Sequence, residues 1–488
     1  MAFLDGTVVN VALPVMQRDL GVAVDLVQWV VEAYSLLLAS LVLVGGALGD
    51  RFGRRRVFTS GVVIFALASI GCGVAPDAVV LIVTRGLQGI GGALLVPGSL
   101  ALISAAYSNG DARGAAIGTW SAFSAMTAAI GPVAGGWVVM HASWRWLFFF
   151  NAPIALVVVA LAQLRVGESR DDTTSGRVDV LGAFLATAGL GLIVYALIDS
   201  ERAGGLGSAR VLLPLAAGVL TLGAFVAVEA WLPAPMVPLS LFRSRTFSGA
   251  NLLTLLLYAA LGGTLFFLPF NLIQVQGYTP AAAGAALLPF IAIISVLSRW
   301  AGGMAGRFGA RLPLVIGPAV AAVGFALLAL PTLGGPYIRT FFPGITVLGL
   351  GMGVTVAPLT TAVMGSVDPR HAGLASGVNN AVSRAAGLLA IAALGVLLLW
   401  RFNRALDRDL ARLDLPPGVV SVVDAQRNRL ASIDLPPEIA PPLRDALRAA
   451  IDDGYVVGFR TLMIACAVLA ALGGLAALVF IESPARLE

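Results

Sequence analysis

The sequence predicts an all-α integral membrane protein with fourteen transmembrane helices. Three observations lead there. Of 488 residues, 58% are hydrophobic and only 12% charged, with a mean hydropathy of +0.93. A soluble chain keeps about a quarter of its residues charged. The apolar residues fall in runs near twenty long, the length that crosses ~30 Å of hydrocarbon. A short loop sequence also recurs far along the chain, so the helices come in two related sets.

The first six spans read as 1–15, 27–48, 57–74, 79–104, 114–139 and 146–164. A polar linker, 165–177, leads to an inserted pair at 178–198 and 211–232. An amphipathic linker, 233–246, leads to the second six at 247–272, 279–304, 312–330, 340–361, 373–399 and 459–481, followed by a tail at 482–488. The first span is short: fifteen helical residues cover ~22 Å. It reads as a first helix truncated by a start codon assigned too late. No basic region precedes it, so it is not a cleavable signal.

All 31 basic residues are arginine, which reads as codon bias in a GC-rich genome. They are scattered over loops without a basic face or a stacking platform, so nucleic acid is not an expected partner. Loop bias sets the orientation. Arg51, Arg54, Arg55, Arg56, Arg113, Arg165, Arg170, Arg177, Arg243, Arg245, Arg299, Arg307, Arg311 and Arg370 share one side; the opposite short loops hold Arg18, Arg145, Arg202, Arg210 and Arg339. The first side is expected to be cytoplasmic, with both termini there and the inner (cytoplasmic) membrane as the location. The segment 400–458 is then an extracytoplasmic loop, expected to form a small ordered cap. Cys72 and Cys466 lie in apolar runs and read as core residues. His141 and His371 stand alone in loops, so no metal site is expected, and no cofactor or ATP-binding loop is found.

The repeat is Gly46-Ala-Leu-Gly-Asp-Arg-Phe-Gly-Arg-Arg-Arg after the second span and Gly302-Gly-Met-Ala-Gly-Arg-Phe-Gly-Ala-Arg after the tenth. Parallel halves of this kind are the trace of a repeat-built transporter. The first copy resembles the major facilitator superfamily signature between helices two and three. That resemblance implies a conformational latch at Gly46, Asp50, Arg51, Gly53 and Arg54. The second copy lacks the acid, so any latch depends on Asp50.

Three further motifs match in order. Leu4-Asp-Gly-Thr-Val-Val-Asn-Val-Ala-Leu-Pro14 resembles the first-helix motif of the fourteen-helix drug:proton antiporter family. Arg85-Gly-Leu-Gln-Gly89 resembles the fourth-helix motif of proton-coupled members. Gly131-Pro-Val-Ala-Gly-Gly136 resembles the antiporter motif of helix five, in which Gly131, Pro132, Gly135 and Gly136 make a close-packing, bendable face. Asp5 lies eleven residues below Met16, ~16 Å along a helix, near mid-bilayer, where a carboxylate is expensive and functional by default. The plain alternative is a helix–helix hydrogen bond. Arg85 could reach toward Asp5 or bond backbone carbonyls, and Gln88 is a cavity hydrogen-bonder. Glu32 departs from the family pattern. It reads either as a second acid for cations or as a solvated residue at the outer mouth.

The resemblance implies a major facilitator fold of two six-helix halves plus two inserted central helices, and a monomer. It implies a proton-coupled antiporter, not an enzyme, that exports amphipathic or cationic drug-like molecules and confers antibiotic resistance. The expected partners are protons, a small-molecule substrate and the lipid bilayer. A dedicated exporter of one metabolite, lipid or self-made antibiotic stays open, as does, more distantly, a non-transporting receptor or scaffold.

Overall fold

The computed structural model describes residues 1–107, 110–170, 179–200, 202–203, 205–232, 235–368, 372–413 and 415–482. Most of the 165–177 linker, the tail beyond 482, Arg370 and His371 lie outside the described residues. Within them the chain forms helices and no strand. Backbone polar groups find no water in hydrocarbon, and a helix satisfies them within one segment.

The helices are α1 (Ala2–Leu20), α2 (Val24–Phe52), α3 (Arg54–Gly73), α4 (Ala78–Ala106), α5 (Gly110–His141), α6 (Trp146–Phe149), α7 (Asn151–Arg165), α8 (Val180–Ile198) and α9 (Ala209–Trp231). They continue with α10 (Arg245–Phe270), α11 (Pro280–Ala286), α12 (Leu288–Phe308), α13 (Arg311–Leu328), α14 (Phe341–Gly365), α15 (Ala372–Leu410), α16 (Pro417–Asp424) and α17 (Pro441–Phe480). Their starts follow capping chemistry. Asp77 accepts from the Val80 amide at 2.9 Å, and Ser244 and Thr279 cap α10 and α11. Among the described residues, twelve helical segments are long and apolar enough to cross a membrane. The other two expected spans, the first and fifth, coincide with α1 and α5, helices of 19 and 32 residues.

Two expectations need correction. The first span does not stop at Val15, because α1 runs on to Leu20. The segment 400–458 is not chiefly loop: α15 and α17 carry straight on into it, to 39 and 40 residues. Residues 443–451 belong to the opening of α17. Charge density hid these extensions, since arginine-rich sequence ends an apolar run without ending a helix.

The repeat has a backbone counterpart. Gly53 sits between α2 and α3 at φ +108°, and Gly309 sits between α12 and α13 at φ +82°. Both close the Arg-Phe-Gly of their copy. A residue with a Cβ rarely takes such angles, so the shared glycine is what each turn requires.

Contacts divide the chain into two units. The first holds Met1–Ala12, Trp29–Ala196 and Gly207–Ser240; the second holds Leu13–Gln28, Leu197–Leu206 and Leu241–Glu488. In the first unit α3 and α4 pack through small residues, and a Cβ on Gly91 would meet the Phe65 amide nitrogen at 2.6 Å. Backbones this close gain the dispersion contacts that hold helices together without water.

Candidate functional site

The first unit buries a polar cluster between α1, α2, α3 and α4. Asp5 is 3% exposed and Arg85 1%. Arg85 Nη1 lies 2.5 Å from Asp5 Oδ2 and donates at 2.5 Å to Gln88 Oε1. Arg85 Nε donates to the Val30 carbonyl at 2.9 Å. Gln88 Nε2 donates to Asp5 Oδ1 at 2.9 Å and to Ser69 Oγ at 2.8 Å. The guanidinium also lies over the Tyr34 ring, 4.3 Å from its centroid, a cation–π contact. Both carboxylate oxygens of Asp5 are therefore satisfied. Arg85 and Gln88 share one face of α4, three residues apart, which is why one helix presents both to the same acid.

The antiporter-type glycines serve this cluster. A Cβ on Gly131 would lie 2.2 Å from Thr7 Oγ1, and one on Gly135 would lie 3.0 Å from Val8. The Gly131/Gly135 face of α5 thus seats α1 within two or three residues of Asp5. Gly136 is also buried, and Pro132 breaks the backbone ladder inside α5.

The 46–56 segment is the end of α2, Gly53 and the start of α3, and a charge pair joins the two helices across that turn. Asp50 pairs with Arg54, four residues on, at 2.8 Å. Arg51 is exposed and lies against Phe52. The tie to a distant segment is made by Glu168. Its Oε1 accepts from the Arg55 amide at 3.0 Å, and its carboxylate faces the Arg55 and Arg56 guanidinia at 3.8 and 3.6 Å. The Arg54 amide donates to the Ser169 carbonyl at 2.8 Å. Gly46 lies against Pro97 of α4.

Glu32 stands apart from the cluster. It is wholly buried, and neither carboxylate oxygen has a hydrogen-bond partner. The solvated-mouth reading is thereby corrected. Position along a helix does not give the facing side. At 100° per residue, Glu32 lies ~160° around α2 from Tyr34, on the side away from Arg85.

Sequence reasoning missed Ser69, Tyr34, Thr7 and Glu168. Ser69 and Tyr34 are ordinary helix residues until tertiary contact gives them a partner. Glu168 sits in a charged linker where one acid looks like the next. Asn379 donates to Asn251 Oδ1 at 3.1 Å and to Thr254 Oγ1 at 2.7 Å.

A cavity of about 590 Å³ opens in the first unit, lined among others by Leu95, Ser99, Tyr107, Trp120, Phe123 and Thr127. Met1 and Ala2 border it; Asp5, one turn further along, does not. In the second unit the α1–α2 turn is held by the 427–434 segment. Gln17 Nε2 donates to the Arg429 carbonyl at 3.2 Å, and Arg429 Nη2 donates to the Gly21 carbonyl at 2.8 Å. Gln274 adds a bond to Gln17 Oε1 at 2.9 Å.

A family model described as Major Facilitator Superfamily matches residues 1–391. The chain is 33% identical over 476 residues to Multidrug resistance protein Stp of Mycobacterium tuberculosis (strain CDC 1551 / Oshkosh), a match covering 96% of this chain and 88% of that protein. It is 37% identical over 400 residues to the puromycin resistance protein pur8 of Streptomyces alboniger, covering 81% and 79%. The solved structure of a bacterial homolog to the human lysosomal transporter Spinster, inward-facing and unoccupied, aligns with a TM-score of 0.65 at 16% identity, over 99% of this chain and 96% of that one. At that identity the likeness speaks to the fold. The chain is a multi-pass membrane protein and belongs to the Major Facilitator Superfamily.

Proposed function

We propose that this protein is a proton-coupled antiporter that exports amphipathic, often cationic, drug-like molecules across the cytoplasmic membrane, with both termini cytoplasmic. The observation that carries the reading is the buried Asp5–Arg85–Gln88 cluster. A carboxylate deep in a low-dielectric interior is held by one cation and one amide. Moving the guanidinium away leaves an unpaired buried charge, which takes up a proton; bringing it back favours release. Alternation between two arrangements then carries protons across in the direction that their gradient sets. Asp5 is the proton carrier, Arg85 couples its charge to conformation, and Gln88 holds the second oxygen.

The aromatic and apolar lining of the 590 Å³ cavity suits flat, greasy molecules. Relatives named for multidrug or antibiotic resistance support the same cargo class. Glu32 is a second acid, buried in this arrangement, that meets a cation in the other. The 46–56 loop, with Asp50, Arg54 and Glu168, tethers the cytoplasmic side.

The test is dye efflux from an efflux-deficient host, with and without an uncoupler, for the unaltered protein and Asp5→Asn. Efflux indifferent to both would reject the mechanism. A second reading, a dedicated exporter of one antibiotic, is favoured by relatives such as the cephamycin export protein of Amycolatopsis lactamdurans. A resistance panel separates the two: one protected compound supports it, many support the multidrug reading.

A further inference from the structure

The inserted pair α8–α9 carries two carboxyls that the mechanism above does not use. Glu229, near the end of α9, is 2% exposed. Its Oε2 accepts from the Val237 amide at 2.9 Å. Asp179, just before α8, accepts from the Gly182 amide through Oδ1 at 2.7 Å. The remaining oxygens, Asp179 Oδ2 and Glu229 Oε1, are buried and receive no N–H or hydroxyl donor. They converge on the space left by the absent side chain of Gly182: a Cβ there would lie 2.2 Å from Asp179 Oδ2 and 2.7 Å from Glu229 Oε1. The two side chains are within hydrogen-bonding reach of each other.

Two ionised carboxylates do not settle oxygen to oxygen without a cation. One proton between them turns repulsion into a hydrogen bond. Among the described residues, Asp179 is the charged group acting on Glu229; Met236 and Val237 face it with backbone amides alone. Among the described residues no arginine pairs with either carboxyl. Val237 opens the run into α10, so Glu229 joins the start of α8, the end of α9 and the outgoing chain.

We infer that Asp179 and Glu229 form a proton-binding site on the membrane face that carries the 53–56 turn, and that its shared proton ties the start of α8 to the end of α9. A rise in pH on that face removes the proton and sets two charges against each other, while the Val237 amide stays with the Glu229 carboxylate because an amide donor favours the ionised form. The site is separate from Asp5, and the inference does not rest on the export reading.

The experiment is an infrared pH titration of the full chain in lipid nanodiscs, following protonated-carboxyl absorption, with Asp179→Asn and Glu229→Gln as variants. The expected result is one component that disappears as pH rises and is lost entirely from each single variant. An asparagine at 179 donates to the Glu229 carboxylate and removes the need for a proton. Should Glu229→Gln fail to fold, the half-buried Asp179→Asn decides the matter. A component that persists in Asp179→Asn, or that ignores pH while the fold holds, overturns the inference. So does its removal by magnesium or calcium at fixed pH, which would make the pair a divalent-cation site.

Discussion

Gly131 of α5 lies against Thr7 of α1 so closely that a Cβ at 131 would sit 2.2 Å from Thr7 Oγ1. Thr7 is two residues from Asp5, so the helix carrying the buried acid is positioned by the absence of a side chain. Gly131→Ala should cost about 1–3 kcal/mol by overpacking and lower efflux. Thr7→Ala in the same chain should restore much of both, read by thermal melting in detergent and by dye efflux. Without any recovery, packing on Thr7 is not the reason for the glycine.

The Asp5–Arg85 pair should behave as one unit. Removing one member of a buried pair costs about 3–5 kcal/mol, so Arg85→Ala should be severe. Asp5→Asn should be milder, because the amide oxygen still accepts from Arg85. In a cycle of Asp5→Asn, Arg85→Gln and the double variant, the double should be more stable than the two single losses combined. Strictly additive melting shifts would separate the two residues.

At Gly53 two causes can be told apart. Its φ of +108° strains any L-residue, and a Cβ there would also meet the Glu168 carboxylate at 2.8 Å. Gly53→Ala should cost about 1–3 kcal/mol from the backbone alone. Adding Glu168→Ala should not rescue it. Glu168→Ala by itself removes partly exposed ion pairs worth about 0.2–1 kcal/mol, a small shift in melting. A full rescue would mean the clash, and not the dihedral, selects glycine.

Glu32 should be dispensable for stability in this conformation. Its oxygens have no partner in a fully buried site. Glu32→Met, of similar size, should raise stability by about 1–3 kcal/mol while reducing efflux of cationic dyes relative to neutral ones. A fall in melting temperature would show that the carboxyl is bonded after all.

Much of the fold was legible because hydrocarbon is a simple selector. It demands apolar runs of a set length, and the chain supplies them. Asp5, Arg85 and Gln88 were conspicuous for the same reason, as polar residues within such runs. Their mutual contacts follow from α1 and α4 packing together, which only the fold gives. Glu168 escaped because its partners lie more than a hundred positions away. The facing side of Glu32 escaped because its polar neighbours on α2, Asp25 and Gln28, belong to a stripe whose environment comes from other helices. The continuation of α15 and α17 into 400–458 was hidden because hydropathy reports the solvent, not the backbone.

α1 is anchored twice. Asp5 is gripped near one end, and Gln17 is tied to Arg429 at the other, twelve residues or ~18 Å away along the rod, with Pro14 between. Whatever grips the 427–434 turn should therefore stiffen the Gln17 end of α1 as well.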